Sequence, residues 1–165
     1  MTEISNDSAT DTNTETPASL NIEKLYVKDS SFESPNAPKV FGTEQAPQVG
    51  VQLGISHAPI NPGQGLYEVT LSVTATAKSG ETSLFLAEVQ QSGIFRIGGV
   101  PDAQMSLVLE IGCPNVLLPF VREAINDLVT RGGVPPLLIN PINFESLFQQ
   151  KLARADAGQS AAVTH

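Results

Sequence analysis

Tryptophan is missing from this chain, and cysteine, histidine and tyrosine are scarce: one, two and two residues in 165. The single thiol, Cys113, can form neither an intrachain disulfide nor a cysteine-rich metal centre. Basic residues are also few, 9 against 17 acids, for a formal net charge of -8. A nucleic-acid backbone or an anionic lipid surface would reward a basic stripe that is not here, so neither is an expected partner and a cationic protein segment fits better. No uninterrupted apolar run approaches the ~18 residues that span a bilayer. The first residues have neither the basic nor the apolar region of a secretory signal. The expectation is a soluble, cytosolic protein with no direct membrane insertion.

Reactive constellations are equally thin. There is no Walker-type phosphate loop, and Gly93-Ile94-Phe95-Arg96-Ile97-Gly98-Gly99 lacks the spacing of a dinucleotide fingerprint. Acids occur singly, which gives no facing carboxylate pair for hydrolysis. His57 falls in a turn-rich stretch and His165 is the last residue, so a Cys113–His57 pair is allowed by spacing and supported by nothing else. No catalytic residue, metal or cofactor is expected.

What the chain does contain is pattern. From Leu66 to Phe95 it reads as two strands joined at Lys78-Ser79-Gly80-Glu81. Tyr67, Val69, Leu71, Val73, Ala75 and Ala77 alternate with Glu68, Thr70, Ser72, Thr74 and Thr76, the period of a sheet with one face covered and one wet. In the second strand Phe85, Ala87, Val89 and Gln91 oppose Leu84, Leu86, Glu88 and Gln90. A two-residue loop at Ser79-Gly80 would bury Glu88, so a three-residue loop, Ser79-Gly80-Glu81, is expected, pairing Phe85, Ala87 and Val89 with Ala75, Val73 and Leu71. That choice leaves Leu84 and Leu86 beside Glu88 on the wet face, a candidate docking patch.

Earlier strands are expected over 22–32, where alternation is imperfect, and over 48–56, where Val49, Val51, Leu53 and Ile55 alternate with polar residues and glycine. The prolines at 35 and 38 separate them, and 57–65 reads as a surface loop. After Phe95 the period becomes helical through Met105, Val108, Leu109, Val116, Leu117, Val121, Ile125 and Val129, with Pro114 and Pro119 predicting a kink or break near 112–119. Gly132-Gly133 ends that helix, residues 134–141 read as an extended apolar connection, and a last helix starts near Asn143 as N-cap. The fold class is α+β: a four-stranded antiparallel sheet with two helices on one face. The long helix is apolar round more of its circumference than one small sheet covers, which places it at a subunit interface. The domain is expected over 20–154, with disordered tails at 1–19 and 155–165.

The run Tyr26-Val27-Lys28-Asp29-Ser30-Ser31-Phe32-Glu33-Ser34-Pro35-Asn36-Ala37-Pro38-Lys39-Val40-Phe41 closely resembles the first strand and loop of the bacterial protein-export chaperone SecB. Tyr67-Glu68-Val69, Ala87 to Phe95, Cys113-Pro114-Asn115, Leu118-Pro119-Phe120 and Asn140-Pro141-Ile142-Asn143-Phe144 with Leu147-Phe148 continue the resemblance in order over roughly 20–152. It implies a homotetramer, a dimer of dimers, that binds unfolded precursor proteins without ATP and delivers them to the export motor ATPase SecA. It also implies motor docking at Asp29, Glu33, Leu86 and Glu88, and a client groove at Phe41, Val49, Val51, Phe144, Leu147 and Phe148. The oligomer interface would hold Ala87, Val89 and Gln91 with Met105, Val108, Leu109, Val116 and Val121 of the long helix. Family members carry a Trp in the loop where this chain reads Thr43-Glu44-Gln45-Ala46-Pro47. The alternative within the same fold is a binding adaptor specific for one partner, such as an antitoxin.

Overall fold

The computed structural model describes residues 16–42 and 46–161; most of the acidic tail, Gln45 and His165 lie outside the described residues. Strands β1 (Ser19–Glu33), β2 (Gln48–Asn61), β3 (Leu66–Ser79) and β4 (Thr82–Gly98) pair antiparallel in the order β1-β4-β3-β2. The alternating strands are therefore central, and β1 and β2 are the edges.

The covered face is the expected one, but the hairpin reaches it by another route. The loop is the two-residue Gly80-Glu81, with Ser79 facing Thr82 and Gly80 at φ 57°, and a bulge at Leu84 then adds one residue to β4. The bulge restores the parity that a two-residue loop would have inverted. Phe85, Ala87 and Val89 consequently face Ala77, Ala75 and Val73, two positions from the expected pairing, and Glu88 stays wet.

Two further bulges, at Glu23 and Lys28, explain why the alternation of β1 is imperfect. After the second, Asp29, Ser31 and Glu33 all pair with outward residues of β4. Strand β2 is longer than expected and absorbs His57 to Asn61; as an edge strand it tolerates Pro59, and the ladder slips next to it at Ile60. Only Pro62–Gln64 forms the turn, closed by Gly65 at φ 66°, where a Cβ would come within 2.2 Å of the Ile97 carbonyl.

The long helix is continuous. Helix α1 (Asp102–Leu107) passes through a π-turn (Val108–Gly112) into α2 (Cys113–Arg131), so the expected break is a widened turn just before Pro114. Cys113, Leu117, Val121, Ile125 and Val129 recur every four residues and lie buried on β3 and β4. By length and composition Asp102–Arg131 could cross a bilayer, contrary to the expectation for this chain; its sheet-facing stripe instead closes the core, and only 39% of its apolar window is buried. Much of the remaining apolar surface is uncovered. At its end Gly132 is required, since a Cβ there would meet the Phe32 ring at 2.1 Å, and that ring stacks on Phe85 with centroids 5.8 Å apart.

An extended segment, 134–143, leads to α3 (Phe144–Ala161), which starts as expected with the Asn143 side chain accepting from the Ser146 N–H at 2.9 Å. The helix continues to Ala161, past the boundary expected at 154.

On the outer face the edge strand β1 is tied across β4 to β3. The Tyr26 hydroxyl donates to Glu68 Oε1, and Lys28 Nζ donates to both carboxylate oxygens at 2.9 and 3.0 Å. The tyrosine bond first, then the Lys28 bond, hold the Glu68 carboxyl below its ordinary range. Tyr26 itself is raised, chiefly because its proton is held by Glu68. A group lowered in the fold stabilises above its unfolded pKa and loses that contribution as pH falls through the folded value. Tyr26→Phe should therefore destabilise the protein by about 1 kcal/mol near neutral pH, a value limited by solvent screening at the half-exposed Lys28. The difference between the two proteins in denaturant unfolding should shrink as the pH falls through the lowered folded-state value of Glu68.

Candidate functional site

The pleat sorts the side chains of the strands onto two faces of the sheet. On the wet face Glu33 pairs with Leu86, Ser31 with Glu88 and Asp29 with Gln90, so Asp29, Glu33, Leu86 and Glu88 occupy one patch spanning two adjacent strands. Leu84, the bulge residue, adds a second half-buried leucine near it. Thr74 donates to Glu88 at 3.2 Å, and none of Asp29, Glu33 and Glu88 forms an ion pair among the described residues. Further along the same face the acids are neutralised: Glu68 by Lys28, Glu23 by Arg96 at 2.6 Å. Negative charge outside any ion pair is thus concentrated at the hairpin end, around half-buried leucine.

The second surface follows the edge strand β2. Val49, Val51 and Leu53 line a hollow of about 310 Å³ whose other wall is Leu137 to Ile142 of the extended segment. Leu53 also lines a hollow of about 180 Å³ closed by Ile55, Leu147 and Phe148. The two form one apolar trough running from the hairpin end of β2 to α3. Its far wall is held in place by Arg122, whose Nη2 donates to the Asn140 carbonyl at 3.0 Å. Leu138 is 85% exposed, the largest exposure of any large apolar residue here. Leu53, Leu137, Leu138, Ile139, Pro141 and Ile142 were not among the expected groove residues. Leu137 to Ile142 were signalled by an apolar, proline-bounded run that no helix or strand period explains, and Leu53 by the strand alternation it shares with Val49 and Val51.

Two expectations about the groove change. Phe144 is 1% exposed and belongs to the core, where it anchors the first turn of α3. Phe41, in the short turn Lys39–Gly42, is exposed but lies against Gly133 at the end of α2, away from the α3 end of the trough.

The expected interface residues also divide. Ala87, Val89, Leu109 and Val121 are buried within the protomer where its own helix meets the sheet, whereas Gln91, also largely buried, lines the open hollow between β1 and α2. Met105, Val108 and Val116 remain partly exposed. With them lie exposed Leu107 and Phe120, and exposed Leu20, Ile22 and Val27 on β1. Nearby, the buried Asn126 Oδ1 and Arg122 Nε lack a partner among the described residues.

The rare reactive groups are not assembled. His57 Nε2 lies 3.2 Å from Glu110 Oε1. Burial pushes the Cys113 thiol up to about 12, the reverse of an activated nucleophile. Among the described residues no cluster of His, Cys, Asp and Glu could hold a metal. The arrangement is suited to binding chains on two distinct surfaces, one apolar and one acidic.

Comparison with known proteins agrees. The family profile described as "Preprotein translocase subunit SecB" matches residues 13–155. The chain is 48% identical over 146 residues to the protein-export protein SecB of Thiobacillus denitrificans, covering 88% of this chain and 95% of the relative. It is 50% identical over 139 residues to that of Halorhodospira halophila, covering 84% and 79%. Among solved structures it is similar in fold to the Mycobacterium tuberculosis Rv1957 SecB-like chaperone, solved in complex with a ChAD peptide from an antitoxin. The TM-score is 0.61 at 16% identity, covering 75% of this chain and 91% of that one.

The buried thiol gives a direct check. Cys113 should resist alkylation in the native protein at mildly alkaline pH and react fully once denaturant opens the sheet–helix core, as read by mass spectrometry.

Proposed function

This chain belongs to the SecB family, and from that premise we propose that it is an ATP-independent holdase that binds unfolded precursor proteins and delivers them to the export motor SecA. The observation that carries the reading is the trough between β2 and residues 137–142: apolar, open, and bounded on one side by an edge strand. An unfolded chain offers apolar side chains and unpaired backbone, and both can be matched there without a defined sequence. The groove is formed by Val49, Val51, Leu53 and Leu137 to Ile142, continuing to Leu147 and Phe148; the motor docks at Asp29, Glu33, Leu86 and Glu88 on the opposite face.

Binding only the unfolded client favours it by RT ln(1 + [L]/Kd), about 2.7 kcal/mol at a hundredfold excess over Kd. Finished domains are stable by ~5–15 kcal/mol, so selection is kinetic: slow folders are captured before they fold. Release needs no nucleotide on this chain, because the motor binds the acidic patch while the client occupies the apolar one. The uncovered apolar surfaces of the long helix and of β1 support assembly into a homotetramer in the cytosol, with α1, the π-turn and α2 between subunits. Identity near one half with export proteins favours the holdase over an adaptor for a single antitoxin.

Two variants separate the surfaces. Leu138→Asp should weaken arrest of a slow-folding precursor at least tenfold, since a carboxylate enters an apolar wall. Glu88→Lys should leave arrest intact and abolish motor binding, measured by calorimetry. If the wild type fails to slow refolding of unrelated precursors at excess, the holdase reading is wrong; if it captures a single partner only, the adaptor replaces it.

A further inference from the structure

One buried charge stands at the end of the trough. Glu110 is 5% exposed and sits in the π-turn Val108–Gly112. Leu109 and Glu110 are both buried in this widened turn, so a carboxylate lies on the inward side of the helix beside the core. The carboxylate receives partners from two other elements on the same oxygen, Oε1: His57 Nε2 from β2, at 3.2 Å, and Lys151 Nζ from α3. These three side chains join the edge strand, the central helix and the last helix at one point.

The position of that point matters. Helix α3 packs mainly on the π-turn, and its other tether, Phe144, is at its first residue. Residues 149–157 are exposed, and Lys151 ties the second turn of α3 to the π-turn. Between them lies the hollow of about 180 Å³ lined by Leu53, Ile55, Glu110, Leu147, Phe148 and Lys151, which is the end of the apolar trough. Lys151 is 60% exposed at its side chain, so this bond is open to screening and competition while its acceptor is not.

We infer that Glu110, His57 and Lys151 form an ionic latch that holds α3 against β2 and limits how much of the trough a client can enter. Opening the latch lets α3 swing from Leu53 and Ile55 and lengthens the apolar surface. The inference rests on the client-groove reading, but the latch itself is measurable without a client.

The test is hydrogen exchange by mass spectrometry on the client-free protein, with capture of a reduced, alkylated protein as the second readout. Lys151→Met keeps the apolar stem and removes the charge. It should speed exchange in residues 147–157 by about tenfold, leave β3 and β4 unchanged, and tighten capture by about threefold. Glu110→Gln should act in the same direction. In the wild type, salt at about 1 M should shift α3 toward the variant, a measurement that needs no substitution. Unchanged α3 exchange in all three overturns the latch. Faster exchange spread through β3 and β4 also overturns it, since Glu110 would then simply support the core. Loosened α3 with unaltered capture overturns its control of the groove. If the wild type captures nothing, the holdase reading fails while the exchange data still decide the latch.

Discussion

The stripe of α2 that recurs every four residues, seated on the covered face of β3 and β4, is the contact from which the other features follow. Cys113, Leu117, Val121, Ile125 and Val129 enter a surface made of Leu71, Val73, Ala75, Ala77, Ala87 and Val89. The small alanines at the hairpin end let the helix approach closely, and Gly132 lets it end against the Phe32 ring. Once that face is dry, the pleat forces the alternate residues outward. The acids of β1 and β4 are then on the wet face by geometry, with burial of an uncompensated carboxylate costing several kcal/mol as the enforcing penalty.

The helix covers the central pair and leaves the edges short of cover. Along β2 the deficit is met only by an extended segment and the start of α3, which produces a trough instead of a core. Along β1 it is not met at all within the protomer, and Leu20, Ile22 and Val27 stay open. The same shortage of covering layers therefore leaves an open trough at one edge, the groove proposed for clients, and exposed apolar surface at the other, the one proposed for association. A holdase needs this: apolar surface that the protein's own fold does not satisfy, yet which is held rigid enough not to collapse. Arg122 on the Asn140 carbonyl and Glu110 with His57 and Lys151 supply that rigidity by polar contacts, leaving the apolar surface free.

Much of this was legible in residue order because periods of two and of four are local properties. The faces of β3 and β4, the cap at Asn143 and the stop at Gly132-Gly133 each depend on neighbours a few positions apart, whereas the grouping of Asp29 and Glu33 with Glu88 joins strands distant in sequence and followed from the family resemblance. The pairing offset of the hairpin was not legible, because the Leu84 bulge depends on cross-strand fit: two routes give the same parity, and only packing against β3 chooses between them. The extension of β2 through Pro59 was hidden because an edge position, which makes proline tolerable, is a property of strand order.

By itself the sequence determined the class of elements and which side of each central strand is apolar. The tertiary structure alone decided which apolar residues were spent in the core and which remained for binding. Phe144 and Leu138 look alike as exposed-or-buried candidates in a one-dimensional reading, but one is enclosed and the other open. The physical reason is that burial depends on how many layers of chain meet at a point in space. A local pattern reports the preference of a side chain for cover, while only the arrangement of distant elements supplies the cover.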